Sequence, residues 1–233
     1  MDFSNRHVVV TGGTGALGIA VVGALIEAGA VCHVPWHSQE EADRFPHRGS
    51  RQVVLVGNTN LSDEAAVARL FEGVERLWAS VHLAGGFAMS PVAKTEKTAL
   101  MHQIEMNLVT CFLCCRAAVN RMAGSGDGGR IVNVAARPAL EWRSGAGMAA
   151  YTASKAAVAA LTAALAEEVA KDGILVNAIA PSIMDTPANR AAMPKADYAA
   201  WPKVEEVAKT IVFLASPDNR VTRGGIVPVY GKA

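Results

Sequence analysis

Tyr151 and Lys155 stand four residues apart in Tyr-Thr-Ala-Ser-Lys, at the head of an alanine-rich run. That spacing puts both side chains on one face of a helix. An ammonium fixed beside a phenol favours the phenolate, so the pair predicts a tyrosine of lowered pKa. Such a tyrosine can hand a proton to a carbonyl or imine near neutral pH. Alone the pair is a weak motif, because chance copies are common. It gains meaning from what precedes it.

Upstream, a short β-branched run from His7 to Thr11 leads into Thr11-Gly-Gly-Thr-Gly-Ala-Leu-Gly18, and helical apolar spacing follows from Ala16 to Ala28. Strand, glycine turn and helix in that order predict a dinucleotide-binding turn, with Gly12, Gly15 and Gly18 as its glycines and Thr14, Ala16 and Leu17 between them. Glycines let the backbone turn tightly and approach a pyrophosphate without a Cβ clash, and the helix N-terminus offers N–H groups to it. The end of the second strand selects the cofactor. It reads Val34-Pro-Trp-His-Ser38 and holds no carboxylate, while Glu40 and Glu41 follow on what reads as the next helix. His37 and Ser38 could meet a 2′-phosphate, or form a loop that touches no ligand. The missing acid favours NADP, with NAD as the alternative.

These residues need a scaffold, and the pattern supplies one. Strand-like runs at 7–11, 31–34, 53–56, 80–84, 130–134, 174–180 and 225–229 alternate with helical runs at 16–28, 63–78, 95–122, 149–171 and 204–215. A glycine-rich loop, 124–129, ends the long helical region. The strands are short and apolar on both faces, as in a helix-covered parallel sheet. The expected fold is one α/β Rossmann-type doubly wound domain over 1–233, with about seven parallel strands.

The 233 residues suit one full core, and 51% hydrophobic with 18% charged residues excludes a disordered chain. A net charge of +1 gives no electrostatic case for nucleic acid or an acidic membrane surface. Gly, Glu and His interrupt each apolar run, so no membrane span is expected. No signal peptide is visible, and the expected location is cytoplasmic. Cys111, Cys114 and Cys115 cluster on a helical stretch and read as a buried apolar face, the alternative being a Cys111–Cys114 redox pair. The histidines show no metal spacing, and no metal is expected; His33, His37 and His47 read as strand or surface residues. Phe87, Met89, Trp142, Met148, Met184 and Trp201 fall on loops after strands and could form an adaptable apolar pocket for a small molecule.

Taken in order, these motifs resemble the short-chain dehydrogenase/reductase family over almost the whole chain. Thr11 to Gly18 is similar to its glycine turn. Asn60 falls where the family has an Asp near the adenine. His82-Leu-Ala-Gly-Gly86 is similar to its Asn-Asn-Ala-Gly segment with both asparagines replaced, which implies that Ala84, Gly85 and Gly86 line the cofactor. Asn107 matches the helix asparagine of a proton path, with a buried structural amide as the alternative. Tyr151 and Lys155 match the catalytic pair, Lys155 also holding the nicotinamide ribose. Asn177 to Pro181, then Ile183 and Thr186, resembles the segment beside the carboxamide, although Thr186 before Pro187 also reads as a helix N-cap.

One position departs from the pattern. Arg130-Ile-Val-Asn-Val-Ala-Ala136 ends in Ala136 where the family has a catalytic serine. Ser144 in the next loop could substitute, or cap a turn; Arg137 could meet an anionic substrate, or cap a turn. The dihydropteridine reductase-like subgroup also lacks the serine. The chain is similar to it in Ala84 to Phe87, Ala136 to Leu140, Gly147-Met148 and the long segment 185–201. That resemblance implies a quinonoid dihydropterin or a related activated C=O or C=N acceptor, with 182–202 covering the substrate. The competing expectation is a cofactor-binding protein with little catalysis, serving redox sensing or interaction. Family members pair through the helices that carry Asn107 and Tyr151, so a homodimer or homotetramer is expected.

Overall fold

The structure is a computed structural model and describes residues 1–123 and 126–232. Gly124 and Ser125 of the expected glycine-rich loop lie outside the described residues. Seven parallel strands form one sheet in the order β3-β2-β1-β4-β5-β6-β7. They are β1 (His7–Thr11), β2 (Val31–Pro35), β3 (Val53–Val56), β4 (Leu77–His82), β5 (Gly129–Val134), β6 (Ile174–Pro181) and β7 (Ile226–Val229). The helices are α1 (Ala16–Glu27), α2 (Gln39–Arg44), α3 (Glu64–Glu72), α4 (Lys97–Ile104), α5 (Thr110–Ala123), α6 (Arg137–Leu140), α7 (Ala149–Glu168), α8 (Pro187–Ala192) and α9 (Val204–Ala215).

Strand alternation divides the core into two layers. Val8, Val10, Val81, Val132 and Ile179 point to one face, under α1 and α9. Val9, Ile131 and Val176 point to the other, under α3, α5 and α7. Both faces are buried, which explains why the strands read as continuous apolar runs.

Two helical boundaries differ from the pattern. The helix expected to reach Trp78 stops at Gly73, and Leu77 already pairs with His7 in the sheet. Leu77 and Trp78 are apolar in both periodicities, so sheet pairing decides between them. The long region 95–122 is three pieces: α4, a π-helical turn from Glu105 to Val109, and α5. One extra residue per turn is invisible to apolar spacing.

The expectation that no apolar run reaches membrane length is also corrected. Helix α7, with 20 residues, is long and apolar enough to span by length and composition. In this fold it lies on the sheet, with Ser154, Lys155, Val158, Thr162 and Ala166 buried along one stripe.

His33 is buried in β2, and its Nε2 lies 2.9 Å from His7 Nδ1. Burial, then the neighbouring His7, push its pKa from 6.5 down to about 4. A pKa lower in the folded state means that the unfolded chain holds the extra proton between these values. The stability contribution is full above pH 6.5 and is lost as pH falls towards 4. We expect the urea midpoint to fall across that window by the equivalent of about 1–3 kcal/mol. His33→Gln should flatten that fall; an unchanged pH profile in the variant would refute the assignment.

Candidate active site

The strand order reverses between β1 and β4, and the crevice outside their C-terminal ends is where such sheets bind ligands. Two segments fill its floor: the turn 12–18 and the run 83–86. Gly12 has φ +66°, and a Cβ there would lie 2.7 Å from Ala84 N. At Gly18 a Cβ would lie 2.2 Å from Gly12 O. The turn therefore folds flat against both its own backbone and the β4 exit. Gly15 differs, since a Cβ there would meet only Gly12 O, at 3.4 Å. It is the N-cap of α1, and no side chain caps that helix start. Uncapped N–H groups beside an open glycine fit a pyrophosphate. Thr14, Ala16 and Leu17 lie on the same turn and first helical residues.

At the β2 end, Pro35 is the last strand residue and Trp36 packs over Gly57. Ser38 is the N-cap of α2 and accepts from Glu41 N at 3.4 Å. His37 is exposed, and its backbone N–H donates to Glu41 Oε2 at 3.1 Å. A carboxylate thus does reach this strand end: the Glu41 side chain folds back over the start of α2 to the His37 N–H, which its position on a later helix concealed. Asn60 is exposed and accepts from Ser62 N and Oγ at 3.1 and 2.9 Å, forming the turn into α3.

The structure brings Asn107, Lys155, Ser154 and the run 85–86 together. Asn107 sits in the π-helical turn, almost fully buried. It accepts from Gly86 N at 3.0 Å and donates to Gly86 O at 3.1 Å and Ser154 Oγ at 3.1 Å. Ser154 Oγ donates in turn to Tyr151 O at 2.8 Å. Asn107 is therefore a clamp that fixes the 85–86 backbone against α7. A Cβ on Gly85 would come within 2.6 Å of Asn107 Oδ1 and 3.4 Å of Lys155 Nζ.

Lys155 donates from Nζ to Val134 O at 2.9 Å. Tyr151 is half-buried, packs edge-on against Phe87 with ring centres 5.0 Å apart, and its hydroxyl has no hydrogen-bond partner among the described residues. The expected lowering of the Tyr151 pKa is not found. Burial pushes Tyr151 up to about 12 and Lys155 down to about 8. Removal from water penalises both charged forms, and for Lys155 this outweighs the opposing effect of Cys111. The pH consequence differs accordingly. The phenol stays protonated through the neutral range, and Lys155 is the group that titrates. We expect kcat/KM for reduction to be level below pH 8 and to fall above it with a one-proton slope, as the ammonium is lost. A rate that rises through pH 8–10 would exclude Lys155 as the titrating group.

The rim is only partly the expected pocket. Phe87 is 60% exposed and Trp142 73%, so both face the crevice or solvent. Met89 is also exposed. Trp201 is buried beside Tyr198, with ring centres 5.0 Å apart, and Met184 packs on the core. Ala136 is buried at the β5 exit. Ser144 Oγ donates to Glu141 O at 2.8 Å, and Arg137 pairs with Glu141 at 2.7 Å while stacking over Tyr230. Turn capping is thus the observed role of Ser144.

Thr186 accepts from Asn189 N at 3.2 Å as the N-cap of α8, ahead of Pro187, and Ile183 is exposed after Pro181 ends β6. The segment 182–202 is fastened at its base. Asp185 N donates to Pro202 O, and Arg190 forks onto the Asp185 carboxylate at 2.6 and 2.8 Å.

Fold, glycine cradle and the Tyr-Lys helix together define a nucleotide-dependent oxidoreductase. The chain belongs to the short chain dehydrogenase family of NAD(P)-dependent oxidoreductases, whose model matches residues 6–197. It is 35% identical to a galactitol 2-dehydrogenase of Rhizobium johnstonii, over 96% of this chain and 93% of that one. It is 33% identical to a cis-4-hydroxycyclohexanecarboxylate dehydrogenase of Sinomonas cyclohexanicum, over 98% and 96%. Among solved structures, ElxO with NADP bound superposes with a TM-score of 0.87 at 25% identity, covering 97% of each chain.

Proposed function

We propose that this protein is an NADP(H)-dependent reductase acting on an activated C=O or C=N acceptor, in the subgroup similar to dihydropteridine reductase. The observation that carries this reading is the Tyr151–Lys155 helix at the mouth of a glycine cradle, with Ala136 where a second hydroxyl donor is usual. NADP(H) is supported by the NADP-bound relative, and the strand end Val34 to Ser38 has no acid of its own, the nearby Glu41 carboxylate being bonded to the His37 N–H. Gly12, Thr14, Gly15, Ala16, Leu17 and Gly18 would hold the pyrophosphate. His37 and Ser38 would meet the 2′-phosphate, and Asn60 the adenine. Ala84, Gly85, Gly86, Pro181, Ile183 and Thr186 would flank the nicotinamide. When bound, the cofactor supplies the hydride.

The chain's own residues do the rest. Tyr151 donates its proton to the substrate heteroatom as negative charge develops there. Lys155, held at Val134 O, keeps a positive charge under the phenol and anchors the ribose. Asn107 keeps the 85–86 backbone in place. Without a serine hydroxyl at 136, one donor faces the developing charge, and a missing donor of that kind commonly costs about 3–4 kcal/mol. A conjugated electrophile tolerates this better than a simple ketone. A flat ring of the quinonoid dihydropterin kind also suits the exposed Phe87 and Trp142. The segment 182–202 would cover it.

The whole chain would act as one domain. A homodimer or homotetramer is supported by the outward faces of α5 and α7, where Phe112, Ala163 and Ala164 are exposed. Sedimentation at the monomer mass alone would exclude it.

The test is a pair of measurements. NADPH and NADH are titrated by nicotinamide fluorescence, and oxidation is then followed with quinonoid dihydropterin, quinones and simple carbonyls. We expect tighter binding of NADPH and turnover ranked by acceptor activation. Tight binding with no turnover on any acceptor would overturn the reductase reading in favour of a binding protein. Tighter NADH binding would overturn the cofactor choice.

A further inference from the structure

A polar cluster lies in the core between β4, β5 and α5, with Cys111 within electrostatic reach of Lys155. His82 ends β4, and Cys111 and Cys115 stand one turn apart on α5; all three are buried. Their ligand atoms lie within 4.8 Å of one another. Asn133, on β5, completes the group. Its Oδ1 is 2.8 Å from His82 Nδ1 and 3.5 Å from Cys115 Sγ, and Cys115 Sγ is 3.6 Å from His82 Nδ1.

The proton inventory is constrained. Thr162 gives its hydroxyl hydrogen to Val158 O at 2.8 Å, so it must accept from Asn133 Nδ2 at 2.9 Å. That fixes Asn133 Oδ1 towards His82 and Cys115. Without a cation, His82 Nδ1–H and the Cys115 thiol both donate to this one oxygen, and Ser80 Oγ donates to His82 Nε2 at 2.7 Å. Two displaceable protons thus converge on Asn133 Oδ1, within a shell of one imidazole, two thiols and that amide oxygen. A tetrahedral zinc site with metal–sulfur bonds of about 2.3 Å and metal–nitrogen bonds of about 2.0 Å has ligand–ligand edges of about 3.5 Å. Both edges measured from Cys115 match this length, whereas the His82 Nδ1–Asn133 Oδ1 edge, 2.8 Å, is a hydrogen bond that must open by about 0.5 Å as the cation enters.

We propose that His82 Nδ1, Cys111 Sγ, Cys115 Sγ and Asn133 Oδ1 form a tetrahedral site for one thiophilic divalent cation of the zinc(II) kind. Binding displaces the two thiol protons to solvent and forms two metal–thiolate bonds. The imidazole changes tautomer, its proton moving to Nε2 and donating to Ser80 Oγ, so His82 stays neutral. The loaded cluster then carries no net charge, as a low-dielectric interior requires. Ser80 holds the ring in the way outer partners of metal-bound histidines do. Cys111 pairs here with Cys115, not with Cys114, and the spacing of His82 to either cysteine is invisible in the sequence because sheet and helix packing create it. The site does not depend on the catalytic reading.

The experiment uses the full chain, reduced and stripped with a chelator, and titrated with cobalt(II) as a spectroscopic stand-in for zinc(II). The expected result is one equivalent bound, with thiolate charge-transfer bands and the intense visible bands of a tetrahedral ion. Native mass spectrometry with zinc should then show one metal gained and two protons lost. Cys111→Ser and Cys115→Ser should each weaken binding about 100-fold and Ser80→Ala about 10-fold. Cys114→Ser and Cys32→Ser should leave it unchanged. Only weak octahedral cobalt bands, no proton loss in the wild-type mass, or equal loss in Cys114→Ser would overturn the proposal. The wild-type mass shift decides the matter even if a variant does not fold.

Discussion

Tyr151→Phe should lower kcat by about 10²–10⁴-fold while leaving the affinity for NADPH within a few-fold. The substitution deletes one oxygen. Phenylalanine keeps the ring and its edge-on packing against Phe87, with ring centres 5.0 Å apart. The lost hydroxyl has no hydrogen-bond partner among the described residues, so the melting temperature should stay nearly constant. The loss should lie at the upper end of the range, because Ala136 offers no hydroxyl that could take over and Ser144 is committed to Glu141 O. Single-turnover kinetics with saturating NADPH separates the chemical step from binding. Activity within tenfold of wild type would remove Tyr151 from the proton-transfer step.

The parts legible from sequence were those carried by local backbone chemistry and by strong periodicity. Helix α9 was expected at 204–215 and is Val204–Ala215, and the glycine turn lies at the switch point where its strand and helix context put it. What spacing missed arises from packing between distant segments. The Glu41 side chain folds back to the His37 N–H, a carboxylate at a place where the strand end itself has none. Asn107 bonds Gly86 across 21 residues, and a π-helical turn sets its direction. His82 meets Cys115 across 33 residues, so no motif spacing could announce the cluster. The Tyr151 pKa departs from what its spacing predicts for a related reason. Four-residue spacing reports a neighbouring charge, whereas the depth of burial that raises the phenol to about 12 is a property of the assembled site.

Alanine at two glycines of the same turn should weaken NADPH binding for two different reasons, only one of which costs stability. At Gly18 the new Cβ would lie 2.2 Å from Gly12 O and 2.5 Å from Gly13 Cα. These are backbone atoms, so no side chain can rotate to make room. Either the turn or the start of α1 must move, and α1 covers Val8, Val10 and Val34 of the first core layer. We expect Gly18→Ala to destabilise the fold by about 3 kcal/mol or more, read as a shift in the urea midpoint, and to lose NADPH binding with it. At Gly15 the backbone is extended, with φ −78° and ψ 171°, which alanine adopts freely. Its Cβ would have a single neighbour at 3.4 Å, so stability should be unchanged. The methyl would instead project into the open face of the turn, where a pyrophosphate has to reach the first N–H groups of α1. Gly15→Ala should therefore weaken NADPH binding about 10-fold or more without moving the urea midpoint. The pair separates the turn as a packing device from the turn as a phosphate cradle. Wild-type NADPH affinity in Gly15→Ala would move the pyrophosphate away from this turn, and a wild-type midpoint in Gly18→Ala would show that the backbone crowding at the turn is relieved without cost.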